Sequence, residues 1–138
     1  MNDLKKILES FSEVKNFRET YKSLPAEEAI YIFLYTKNID RLEGSSPILK
    51  IGETTNFKKR MARYFNVRDI KEIEDKPKRQ TAYRFRKFID SKETNQIKLY
   101  YKSARKKTKS DLRNEEKRLL KLYLSEHLET PPINMGMS

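Results

Sequence analysis

One uncharged run limits the fold more than any other segment of this chain: AIYIFLYT, residues 29–36. β-Branched and aromatic residues dominate it, and neither Gly nor Pro interrupts it, which is typical of a strand. Because side chains alternate across a strand, Tyr31, Phe33 and Tyr35 share one face, and Ile30, Ile32 and Leu34 share the other. Since both faces are apolar, the sequence predicts a largely buried strand.

Other segments predict the elements around this strand. Residues 48–52, ILKIG, indicate a second strand, antiparallel to the first because residues 37–47 form a hairpin-like loop rather than a crossover helix. Residues 96–103 indicate a third strand. Helices are predicted over 3–22, 57–65, 79–91 and from about 111 to before Pro131, with a loop or short helix over 66–78. This order indicates a small α/β or α+β domain over residues 29–138, preceded by an N-terminal helical extension, residues 1–28.

Charge and composition narrow the function. The formal net charge of +11 points to a polyanionic partner, and nucleic acid is the first expectation. The chain has no Cys, and His127 is its only His, so disulfides, thiolate zinc sites and Ser-His catalysis are excluded. No run is long enough to span a membrane and Met1 begins no signal peptide, so we expect a cytoplasmic protein without a membrane partner.

Two charged residues interrupt apolar helix faces. In the last helix, Glu116 falls inside the stripe made by Leu112, Leu119, Leu120 and Tyr123. A carboxylate directed at a core must be paired, hydrogen-bonded or bound to a metal. In the helix after Gly52, Arg60 flanks an apolar face, where it either extends past the core into solvent or presents its donors to a phosphate. The helical patterns alone do not decide between a structural and a functional role for Glu116 or for Arg60.

Four segments of the chain, taken in order, resemble the motifs of a known family. The segments AIYIF, LKIGETTNFKKRMARYF, EKRLLKLY and PPIN resemble, in that order, the GIY-YIG nuclease superfamily, and the third resembles a helix in the nuclease domain of bacterial excision-repair enzymes. The resemblance covers residues 29–134. It implies a three-stranded antiparallel sheet flanked by helices, and a metal-dependent DNA endonuclease that hydrolyses phosphodiester bonds. The chain departs from the pattern at Ala29, at Lys50 of a KIG variant, and at Glu53.

The resemblance also implies a role for each matching residue. Glu116 would hold one Mg²⁺ or Mn²⁺, a hard cation suited to oxygen ligands. Arg60 would bind the non-bridging phosphate oxygens, and Tyr31 would orient or deprotonate the attacking water. Because a free phenol has a pKa of about 10, Tyr31 needs a neighbouring cation, and Lys50 is the candidate. Asn134 would fix the geometry of the site through hydrogen bonds.

Basic clusters would supply affinity for the DNA backbone. The candidate DNA-binding residues are Lys58, Lys59, Lys76, Lys78, Arg79, Arg84, Arg86, Lys87, Arg105, Lys106, Lys107 and Lys109. Two other functions stay open. One is a nucleic-acid-binding protein of the same fold without catalysis, and the other is a basic interaction module. A homodimer or a partner protein could dock through the N-terminal helix.

Overall fold

The computed structural model describes residues 2–65, 80–92 and 94–134. It shows a mixed α+β fold in which two short 3-10 helices, Tyr21–Ser23 and Thr94–Gln96, accompany five α-helices and four strands. In chain order these are α1 (Asn2–Glu9), β1 (Ser12–Val14), α2 (Phe17–Thr20), β2 (Ala29–Asp40), β3 (Ser45–Thr54), α3 (Phe57–Phe65), α4 (Gln80–Asp90), β4 (Ile97–Ser103) and α5 (Lys109–His127).

The sheet has the strand order β1-β4-β2-β3, and every neighbouring pair is antiparallel. The prediction of three strands is therefore wrong by one. The fourth strand comes from the segment predicted as a helix over residues 3–22, where Ser12–Val14 pairs with Tyr101–Leu99. This pairing satisfies an edge of β4 that would otherwise expose unpaired backbone groups. The N-terminal segment thus contributes a strand to the sheet as well as helices.

The central strand β2 separates two apolar clusters. Tyr31 and Phe33 lie in one cluster with residues of α3 and α4, including Phe57 and Phe85. On the opposite face, apolar residues of β2 and β3 pack against apolar residues of α5. This second cluster includes Ile30, Ile32, Leu34 and Ile51 of the strands, and Leu112, Leu119, Leu120 and Tyr123 of α5. The predicted division of the strand into two apolar faces is confirmed, and both faces are covered.

The hairpin between β2 and β3 is longer and its loop shorter than predicted. Strand pairing continues to Asp40 and resumes at Ser45, so only residues 41–44 form the loop. The outer arm of β2 is mostly exposed. Its polar composition therefore reflects solvent contact rather than a loop.

The boundaries of α3, α4 and α5 agree closely with the predicted helices, whereas the helix predicted over residues 3–22 is replaced by α1, β1, α2 and a 3-10 helix. Asn56 accepts a hydrogen bond from the backbone N–H of Lys59 at 3.0 Å and caps α3. Thr108 caps α5 through a reciprocal arrangement with Asp111. None of the described helices is long and apolar enough to cross a membrane. The prediction for residues 66–78 lies outside the described residues.

Candidate functional site

The site is built around a close approach of Tyr31 to Gly52. The two residues face each other across β2 and β3, and Tyr31 is fully buried. A Cβ atom placed on Gly52 would lie 2.3 Å from Cζ of Tyr31, closer than real Cβ contacts allow. The tyrosine ring therefore occupies the space that a side chain at residue 52 would need. Gly52, the glycine of the segment LKIG, is therefore required by packing.

The hydroxyl of Tyr31 lies in a buried polar cluster. Its oxygen is 2.9 Å from the hydroxyl of Tyr64, and Nη1 of Arg60 donates to it at 3.4 Å. Both partners belong to α3. Burial, followed by the neighbouring Tyr64, raises the pKa of Tyr31 well above its ordinary value, and Arg60 opposes this rise only in part. The phenol of Tyr31 is therefore neutral at physiological pH.

Arg60 is half-buried at the edge of this cluster. Burial disfavours its charged form, but the oxygens of Tyr31 and Tyr64 more than offset that effect, and the net pKa shift is upward. The guanidinium is therefore a permanent positive charge whose orientation is set by two phenols. It retains donors beyond the one directed at Tyr31.

Glu116 lies half-buried on α5, as its place in the apolar stripe predicted. Burial and then the charge of Glu53 raise the pKa of its carboxyl group. Lys50, the backbone N–H of Glu53 and Arg60 act in the opposite direction. The preceding residue differs, because Glu115 forms an ion pair with Arg118 at 2.6 Å. Glu116 instead interacts with Lys50, Glu53 and Arg60, which all belong to the segment LKIGETTNFKKRMARYF.

Lys50 is only 8% exposed. It interacts electrostatically with Glu116. The cation next to the hydroxyl of Tyr31 is Arg60 rather than Lys50. In this structure, the expected influence of a cation on the phenol is therefore exerted by Arg60.

Asn134 joins the chain's C-terminal segment to β3. Its side-chain Nδ2 donates to the carbonyl of Ile51 at 2.9 Å, and its Oδ1 accepts from the N–H of Ile51 at 3.0 Å. The neighbouring Ile133 donates its backbone N–H to the carbonyl of Leu49 at 2.9 Å. These bonds hold the edge strand immediately before Gly52.

The residues that could hold a metal form a small set. Within the described ranges, no group of three or more His, Asp or Glu side chains gathers around one point. Mg²⁺ is usually held by one or two carboxylates, completed by water and substrate phosphate. Glu116, with Glu53 beside it, supplies such a minimal set of oxygen ligands.

The candidate DNA-binding residues occupy several places. Lys58 and Lys59 are exposed on α3, and Lys87 is exposed on α4. The turn before α5 exposes Arg105, Lys106 and Lys107, and Lys109 is exposed at the start of α5. Arg105 pairs with Glu27 at 3.5 Å. The side chain of Arg86 is only 16% exposed and donates to the carbonyl of Tyr64. Arg84 lies in α4, and Lys76, Lys78 and Arg79 lie outside the described residues.

The basic residues of α3 and those of the turn before α5 are linked through residues 27–28 at one end of the sheet. The backbone N–H of Phe57, at the start of α3, donates to the backbone carbonyl of Glu27 at 2.8 Å. The backbone N–H of Ala104, before α5, donates to the backbone carbonyl of Glu28, also at 2.8 Å. Residues 27–28 therefore connect the exposed lysines of α3 to those of the turn. The connection lies next to Ala29, where β2 enters the site.

Tyr64 is a member of the site that sequence reasoning missed. The sequence pattern placed it on the apolar face of α3 with Phe57, Met61 and Phe65, and its ring is indeed buried there. The signal available in the sequence was a tyrosine, rather than a phenylalanine, one helical turn after an arginine. A buried phenol needs a partner for its hydroxyl, and here that partner is Tyr31.

Comparisons with known proteins do not identify the chain. No family model, curated protein or solved structure matches it. The function is therefore argued from the site.

Proposed function

We propose that this protein is a metal-dependent DNA endonuclease that hydrolyses phosphodiester bonds, of the GIY-YIG type that its sequence resembles. One observation carries the proposal. Arg60 donates toward the hydroxyl of Tyr31 and also interacts electrostatically with Glu116. A phenol of β2 and a guanidinium of α3 are thus in contact, and the guanidinium acts electrostatically on a carboxylate of α5; phosphodiester hydrolysis needs groups of these three kinds.

Arg60 would bind the non-bridging oxygens of the scissile phosphate. Its planar fork of donors fits a phosphate better than an ammonium group does. Because two phenols already orient it, little reorganisation is needed as negative charge develops in the transition state. Lys50, largely buried, adds a second positive charge near Glu116.

The Tyr31–Tyr64 pair would position the attacking water. Both hydroxyls can donate and accept, and a neutral phenol bound to another phenol can hold a water by hydrogen bonding. Because burial raises the pKa of Tyr31, the phenol would first have to release its own proton before it could accept one from water, and that ionisation needs a further positive charge nearby. Tyr31 is therefore first an orienting group in this proposal.

Glu116 would hold the metal, with Glu53 as the neighbouring carboxylate. When bound, Mg²⁺ or Mn²⁺ supplies Lewis-acid stabilisation of the oxygen that leaves. The protein's own contribution is to keep Glu116 half-buried and within the influence of Arg60 and Lys50. The exposed lysines of α3 and of the turn before α5 would bind phosphates on either side.

The proposal is tested by nicking of supercoiled DNA with Mg²⁺ or Mn²⁺. We expect the wild type to nick, and Arg60→Lys and Glu116→Gln to lose about 10²–10³ in rate, as for the removal of one transition-state contact. Arg63→Lys makes the same chemical change on the same helix, at a residue that does not act on the pKa of Tyr31, and should retain activity. A wild type that binds DNA but never cuts it would overturn the proposal.

That negative result would favour a nucleic-acid-binding protein of the same fold without hydrolytic activity. The raised pKa of Tyr31 supports this second candidate, because a neutral phenol is a weak base. The two candidates share the basic surface. They therefore differ in cleavage and not in the dependence of binding on salt.

A further inference from the structure

A cavity of about 290 Å³ lies on the α5 face of the sheet, between the end of β4 and the first turns of α5. Ile30, Ala104 and Leu112 give it an apolar lining. Lys102 and Lys107, both exposed, add positive charge. The cavity therefore combines an apolar interior with cations that solvent can reach.

Strand register fixes the place of this cavity relative to the site. Ile30 pairs with Glu53 on β3 and with Lys102 on β4. Since adjacent strands lie about 4.8 Å apart, Lys102 is about 10 Å from Glu53 along the row that crosses β2. On α5, Glu115 lines the cavity and Glu116 follows it in the helix. The cavity thus adjoins the carboxylates on the α5 face of the sheet.

We infer that this cavity takes an unstacked nucleobase from the nucleotide next to the scissile phosphate. The inference rests on the proposed function and deepens it. An apolar cavity of about 150 Å³ is enough to bind benzene, so the observed volume accommodates a purine or pyrimidine ring. Enzymes that admit a base to such a pocket act on nucleotides that are unpaired or easily extruded.

The polar lining fits a base better than a phosphate. Asp111, which caps α5 with Thr108, and Glu115, which pairs with Arg118, place two carboxylates at the cavity. These would repel an anion, and their remaining lone pairs can accept from the amino and ring N–H groups of a base. The exposed Lys102 and Lys107 can reach phosphates of the backbone that carries the base. The substrate class is therefore nucleic acid with an unpaired nucleotide, such as a bulge or a gap, rather than uninterrupted duplex.

Binding of three DNA forms, measured with the full chain in EDTA, tests the inference. The forms are a duplex, the same duplex with one bulged nucleotide, and the same bulge with an abasic site, which keeps the backbone but removes the base. We expect the bulge to bind about tenfold more tightly than the abasic bulge. Ala104→Leu, which fills the cavity, should abolish this difference, while Ala26→Leu, an equal change at an exposed position, should retain it.

A second measurement does not depend on the folding of a variant. With 2-aminopurine as the bulged base, binding of the wild type should raise its fluorescence as the base leaves the stack. Equal affinity for the bulge and the abasic bulge, or unchanged fluorescence, would overturn the inference. Cleavage with Mg²⁺ is scored separately. Base discrimination without cleavage retains the base site and rejects the nuclease, whereas cleavage without discrimination does the reverse.

Discussion

The carboxamide of Asn134 pairs with both backbone groups of Ile51, donating to its carbonyl at 2.9 Å and accepting from its N–H at 3.0 Å. This is the pattern that a neighbouring strand would form, and a single side chain supplies it. Because β3 lies at the edge of the sheet, the pairing covers part of an open edge. It also fixes the strand one residue before Gly52, against which Tyr31 packs.

Replacing Asn134 with Ala should destabilise the protein by about 1 to 3 kcal/mol, the usual range for two hydrogen bonds of a partly buried group. Urea unfolding measures the loss, and amide hydrogen exchange at Ile51 shows whether it is local. We expect exchange at Ile51 to accelerate. Asn38→Ala, at an exposed position of β2, is the control and should change neither quantity. Unaltered exchange at Ile51 in Asn134→Ala would show that the pairing does not hold the strand.

Gly52→Ala should be destabilising through a steric conflict with one ring. The added methyl group would meet Cζ, the hydroxyl oxygen and Cε2 of Tyr31, all within 2.8 Å. Overpacking of this kind costs about 1 to 3 kcal/mol. Tyr31→Leu removes the three atoms concerned. The double variant should therefore be less destabilised than the sum of the single variants by at least about 0.5 kcal/mol, measured by denaturant unfolding.

Gly44 provides the control for this cycle. An added Cβ atom there would lie 3.7 Å from His127, an ordinary contact, but the residue has a φ of +67°. Gly44→Ala should therefore be destabilising because of backbone strain, independently of the ring. Its effect should add to that of Tyr31→Leu. Additivity in both cycles would contradict a specific Gly52–Tyr31 contact.

Arg86 and Lys59 should respond differently to substitution, although both belong to predicted basic clusters. Arg86 donates to the carbonyl of Tyr64 at 2.8 Å and to Asp90 at 3.1 Å, so it ties α4 to the end of α3. Arg86→Ala should lower the free energy of unfolding by about 1 to 3 kcal/mol. Lys59→Ala, at an exposed position, should change it by less than about 0.5 kcal/mol.

DNA binding should show the opposite pattern. Loss of one phosphate contact at Lys59 should reduce the slope of log affinity against log salt by about 1. Arg86→Ala should leave that slope unchanged, because its guanidinium is already engaged within the protein. Titrations at several salt concentrations measure both slopes. A reduced slope for Arg86→Ala would assign Arg86 to the DNA surface instead.

Local patterns predicted much of the fold. The two faces of β2 followed from alternation, and the extent of α3 followed from helical spacing, because these features depend on neighbours in sequence. The strand β1 did not follow. Its segment has apolar residues at helical spacing, and only the open edge of β4, formed by a distant segment, favours extended pairing there. Tertiary contacts thus override a local preference.

In the candidate site, too, some features follow from the sequence and others depend on tertiary contacts. Tyr31, Arg60, Glu116 and Asn134 could be named from the order of motifs, whereas the contact of Tyr31 with Tyr64 depends on how α3 docks against the sheet. The sequence also suggested Lys50 as the cation for Tyr31, because the two lie on adjacent strands. Which cation reaches a hydroxyl depends on side-chain direction, and the structure places Arg60 there.

The carboxyl group of Glu116 should make stability depend on pH. Its pKa in the folded protein is raised by burial and by Glu53, so ionisation opposes folding above the unfolded value of about 4.5. Glu116→Gln should therefore be more stable than the wild type at neutral pH, and the difference should vanish as the pH falls to about 4.5. Thermal unfolding at several pH values measures this. Glu115 is the control with the opposite sign, because Arg118 lowers its pKa and Glu115→Gln should be less stable at neutral pH.

A bound metal should reverse the order of stability of the wild type and Glu116→Gln. Mg²⁺ binds the ionised carboxylate, so it stabilises the folded wild type, by about 2.7 kcal/mol at a concentration a hundred times its Kd. The Glu116→Gln variant has an uncharged amide at this position and should gain little. Because metal and proton compete for Glu116, the stabilisation should grow as the pH rises through the raised pKa and should then level off. Thermal unfolding with and without Mg²⁺ measures the effect, and Ca²⁺ tests binding without hydrolysis. Equal stabilisation of both proteins would place the metal at residues other than Glu116.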